Sequence, residues 1–106
     1  MFTITEEDWK IYRVKIVEWQ ENYMGRLVQE YMQILSKEDG ASTRFWELEE
    51  RINKDKLHPG VIVVRKRSNA IITITQLVQD KVIDFDALKD FSSELQSTIM
   101  TILNVK

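Results

Sequence analysis

The chain has 106 residues, 43% of them hydrophobic, with a net charge of -2 and no cysteine. That length suits one domain with a modest core, and an ordinary apolar content argues against disorder. The lack of cysteine excludes a disulfide framework, a thiolate zinc site and a cysteine nucleophile, and no apolar run approaches the ~20 residues that span a bilayer.

Residues Thr5 to Ser36 read as one unbroken helix. Thr5 can cap it, and Glu6, Glu7 and Asp8 place negative charge at the positive end of the helix dipole. Trp9, Tyr12, Ile16, Trp19, Tyr23, Leu27, Tyr31 and Ile34 recur at steps of three or four, which puts them on one stripe. A second stripe runs beside it through Val14, Val17, Met24, Val28, Met32 and Leu35. Two stripes make an apolar arc wider than one neighbour needs, so this helix should touch two or more. At about 1.5 Å per residue it would be roughly 48 Å long. Gly25, inside the pattern, should cost about 1 kcal/mol relative to Ala.

Lys37 to Ala41 form a polar connection, after which Ser42 or Thr43 can cap a helix from Thr43 to Lys56. Phe45, Leu48 and Ile52 give its apolar face, with Trp46 beside it. His58-Pro59-Gly60 should stop it, because Pro removes a donor and discourages helix in the residue before it. Val61 to Val64 are all β-branched, which favours strand locally. Yet Ala70, Ile71, Ile74, Leu77 and Val78 have helical spacing, and nothing else in the chain offers a lone strand a partner. One helix from Gly60 to Lys81 is therefore expected, the alternative being a strand over 61–66 before a helix capped by Ser68. Asp84 is expected to cap a last helix that buries Leu88, Phe91, Leu95, Ile99 and Ile102 or Leu103. The expected fold is all-α, a single domain over residues 1–106. It is a small bundle of about four helices with a long N-terminal one.

Trp9 with Tyr12, Trp19-Gln20-Glu21 with Tyr23-Met24, and Phe45-Trp46-Glu47-Leu48-Glu49 occur in that order. Pro59-Gly60-Val61 and Phe91-Ser92 with Glu94-Leu95 follow. Together they resemble a family of short, uncharacterised proteins of gut Firmicutes, some of which carry the label "multidrug transporter". The resemblance implies a bacterial, cytoplasmic setting. It brings no activity, cofactor or catalytic residue.

No chemical motif stands out. The single His58 has no second ligand at metal-site spacing. Asp80, Asp84, Asp86 and Asp90 are spaced irregularly and lack the glycine of a calcium loop. Three scattered glycines do not build a phosphate cradle. Charge is uneven, with residues 41–67 carrying a net +3. Arg65, Lys66 and Arg67 are the sharpest charged feature, suited to phosphate contacts or to salt bridges with the acidic first helix. No catalytic residue, metal or cofactor is expected, and no membrane or enzymatic role.

The chain is thus expected to be a small cytoplasmic interaction or adaptor protein acting as a homo-oligomer. Trp9, Tyr12, Trp19 and Tyr23 are the expected contact residues, since aromatics anchor interfaces. The alternative is a nucleic-acid-binding regulator using Arg65, Lys66 and Arg67.

Overall fold

A computed structural model describes residues 3–62 and 66–104. Among them are four α-helices and no strand, the all-α bundle with a long first helix that the periodicity predicts. The first, α1, runs from Glu6 to Leu35. Thr5 Oγ1 accepts from the Asp8 amide at 3.1 Å, and three acidic residues fill the first turn. The far end has no basic residue of its own in the last turn. Arg44, from the next helix, donates to the Leu35 carbonyl at 2.7 Å and brings positive charge to the negative end of the dipole.

The second helix, α2, spans Ala41–Asp55 and folds back on α1 as a hairpin. Its cap is the extended backbone of Gly40, not Ser42 or Thr43, and no side chain caps it. The helix therefore starts two residues earlier than expected. Polar contacts along the hairpin fix its register. Tyr31 donates to Asp55 Oδ2 at 2.7 Å, and Arg51 donates to Glu30 at 2.7 Å and to Asp55 at 3.2 Å. Lys37 closes the turn on Glu47 at 2.7 Å.

The expected helix from Gly60 to Lys81 is shorter than predicted. Residues 58–62 form a turn in which the Val61 and Ile62 amides both donate to the His58 carbonyl. Gln20, buried on α1, donates through Nε2 to the carbonyls of Pro59 at 3.0 Å and Ile62 at 2.8 Å. These two bonds hold the 58–62 turn against α1, and the distant Gln20 is invisible to local periodicity. Residues 63–65, the heart of the alternative strand, lie outside the described residues. The third helix, α3, occupies Ala70–Gln79, after a 3₁₀ turn over Arg67–Asn69.

Asp84 caps only a short 3₁₀ turn, Phe85–Leu88, by accepting from the Ala87 amide at 3.1 Å. The last helix, α4, is Ser93–Asn104, and Ser92 is its side-chain cap, accepting from the Leu95 amide at 3.2 Å. The cap thus sits eight positions later than expected, because Ser92 is held in place by a residue from the other end of the chain, Asp8. Of the predicted buried face, Leu88, Phe91, Leu95 and Ile99 are buried and Leu103 is half-buried against the core, while Ile102 is exposed.

These elements divide the length of α1 in two. Tyr12, Ile16 and Trp19, in its first half, enter the main core with Ala70, Ile74 and Leu77 of α3 and Leu95 and Ile99 of α4. Its second half packs mainly on α2, burying Leu27 and Ile34 outside that core. The result is elongated, 52 × 28 × 21 Å, with the hairpin projecting from the main core.

Candidate interaction surface

The four aromatic residues expected to anchor an interface do not form an exposed patch. Tyr12 is 1% exposed and Trp19 6%, and both lie inside the main core. Trp19 packs on Phe91 with ring centroids 6.2 Å apart. Trp9 is half-buried and stacks on Tyr12 at 5.7 Å. Tyr23 is half-buried, stacked on His58 at 4.9 Å. The expectation for Tyr12 and Trp19 is therefore corrected: their stripe faces α3 and α4, which cover it.

The second stripe of α1 has no such cover. Val14, Val17, Val28, Met32 and Leu35 are each between 44% and 74% exposed. Each is β-branched or long and apolar, and each lies on the flank of α1 turned away from the core. On α2, Phe45 and Ile52 are also exposed, seven residues apart and so on one side of that helix. A groove of about 220 Å³ joins the two helices here, lined by Met24, Val28, Tyr31, Ile52 and Val61 among others. Trp46, 62% exposed, meets Phe45 edge-on at 4.8 Å, and Leu57 stands clear at the end of α2. Contiguous apolar exposure of this kind is the feature that marks contact surfaces on soluble domains. The signal for it was present in the α1 stripe itself. Periodicity distinguishes stripes from polar faces, but not the stripe that a chain covers from the one it leaves open.

The polar residues of the hairpin are structural. Asp55 is buried and accepts from both Tyr31 and Arg51. Burial, together with the Asp55 hydrogen bond and charge, pushes the Tyr31 hydroxyl up to about 12. The Tyr23 hydroxyl is also raised, by burial first and then by the charge of Asp55. Hydrogen bonding to Glu30 raises Arg51 further, so this guanidinium stays charged.

His58 sits in the predicted turn. Its Nδ1 accepts from the Gly60 amide at 2.9 Å, so the opposite nitrogen carries the proton that faces Asp80 Oδ2 at 2.8 Å. Both ring nitrogens are thereby committed. No group of three or more His, Cys, Asp or Glu residues among those described could hold a metal ion.

Arg65 lies outside the described residues. Lys66 is exposed. Arg67 pairs with Glu6 at 2.8 Å and lies over the Trp9 ring at 6.0 Å, so its charge already has an acidic neighbour on α1. A second apolar groove, about 610 Å³, runs between Ile4, Ile71, Ile72 and Ile102 with Arg67 at its edge. Among the described residues no helix is long and apolar enough to cross a membrane. No protein-family model, curated protein or solved structure matches the chain.

Proposed function

We propose that this chain is a small protein-interaction module that works as a homo-oligomer, and that the contact lies on the open side of the α1–α2 hairpin. The observation that carries this is the uncovered stripe Val14, Val17, Val28, Met32 and Leu35, continued on α2 by Phe45 and Ile52. These side chains are about half to three-quarters exposed, so burying the rest of each would gain roughly 1–2 kcal/mol. A second hairpin is a surface of matching shape and length.

The hairpin itself is built to be presented. Its register is held by the Tyr31–Asp55–Arg51–Glu30 network, and its base is anchored in the main core through Tyr12, Ile16 and Trp19. A stiff apolar face on a projecting hairpin loses little conformational entropy when it docks, which favours association.

The test is a pair of substitutions on the open face. Val28→Glu with Met32→Glu is expected to convert an assembled protein to monomer and to leave its helical circular dichroism unchanged. An unaltered solution mass in that variant would place the contact elsewhere.

A further inference from the structure

Gly25 has no reason within its own chain. It is exposed in the middle of α1, and a Cβ added there would meet nothing within 4 Å. Its φ is not positive, so no special backbone conformation calls for glycine. Glycine inside a helix costs about 1 kcal/mol relative to alanine. Nothing in the described chain offsets that cost. A closely approaching second helix would.

The open stripe is arranged around this residue. The pairs Val14 and Leu35, Val17 and Met32, Glu21 and Val28, and Met24 and Gly25 all share one midpoint, between Met24 and Gly25. A two-fold axis perpendicular to α1, passing beside it at the level of that midpoint, lays a second α1 antiparallel on the first. Val14 then faces Leu35, Val17 faces Met32, and the Met24 side chain of each copy fills the gap left by Gly25 of the other. Such an isologous contact closes at two copies. The charges agree. Lys10, beyond Val14, meets the acidic turn Glu38–Asp39 beyond Leu35 of the other copy. Glu21 against Val28 is the one mismatched pair.

Resting on the self-association proposed above, we infer that the partner is a second copy of this chain, antiparallel along α1 and crossing it at Gly25. The absence of cysteine allows a direct test. With a short thiol-reactive cross-linker, Gly25→Cys links to itself, and Val14→Cys links to Leu35→Cys when the two variants are mixed. Val14→Cys does not link to itself, because antiparallel copies hold those positions about 30 Å apart at 1.5 Å per residue. Gly25→Leu raises the dissociation constant at least about tenfold, the equivalent of 1.4 kcal/mol, and leaves the monomer folded. Self-linked Val14→Cys, or a dimer indifferent to Gly25→Leu, overturns the antiparallel crossing but not self-association. A wild-type monomer at every concentration overturns both.

Discussion

The carboxylate of Asp8, in the first turn of α1, accepts from both the Ser92 amide at 2.9 Å and the Ser92 hydroxyl at 2.5 Å. The same hydroxyl accepts from the Leu95 amide and so starts α4. One buried acid thus locks the beginning of the first helix to the beginning of the last. Hydrogen bonds to a charged group contribute about 1.5–3 kcal/mol. Asp8→Asn is expected to lower stability by about that amount, read as a lower urea midpoint with an unchanged slope. Ser92→Ala should be non-additive with it in a double-mutant cycle. Additive losses would mean the two residues act separately.

Tyr31 predicts a loss of stability in alkali. Its hydroxyl is pushed from 10.0 up to about 12, by burial first and then by its bond to Asp55. The folded state therefore favours the protonated phenol. That stabilisation is complete below the ordinary value near 10 and is lost as pH rises through about 12. Tyr31→Phe should flatten the fall in stability across this window without abolishing it, since the Tyr23 hydroxyl is raised as well. It should also cost about 1 kcal/mol at neutral pH through the lost hydrogen bond. A phenolate absorbance titration in which Tyr31→Phe removes no group that ionises well above the ordinary tyrosine value would contradict this.

Gly60 makes room for a ring. A Cβ there would lie 2.5 Å from Tyr23 Cδ2 and 2.9 Å from Cε2. The same ring is stacked on His58, with centroids 4.9 Å apart. Gly60→Ala is therefore expected to cost about 1–3 kcal/mol, as overpacking does, and to shift the His58 ring resonances in an NMR spectrum. Gly25→Ala, with open space around it, should instead raise monomer stability by up to about 1 kcal/mol.

Core and surface aromatics should separate cleanly in thermal or urea unfolding. Trp19→Ala is expected to cost about 3–5 kcal/mol. Trp46→Ala, on the open side of α2, should change monomer stability by no more than about 0.5 kcal/mol. Similar losses from both would mean that Trp46 is covered in the isolated chain.

What was legible in the sequence was periodicity with nearby caps. Thr5 and the acids after it mark the start of α1, and the three-four spacing marks both of its stripes. The start of α3 was not legible, because the 58–62 turn before it is held against α1 by Gln20, some forty positions away. Nor was the cap of α4. Asp84 and Ser92 are equally good caps locally, and only the distant Asp8 selects Ser92 for the helix. At the candidate surface, aromatic weight pointed to Tyr12 and Trp19. Large rings bury the most area, so they were drawn into the chain's own core, leaving the valines and methionine of the second stripe outside.

The most direct test of the account is the solution mass of the unaltered chain, by light scattering on a sizing column over a wide range of loading concentrations. A dimer that dissociates only on strong dilution is the predicted result, and its loss on Val28→Glu with Met32→Glu would locate the contact on the open side of the hairpin. A monomer at every concentration would contradict the account, and the stripe from Val14 to Leu35 would then be an apolar surface this protein keeps in water.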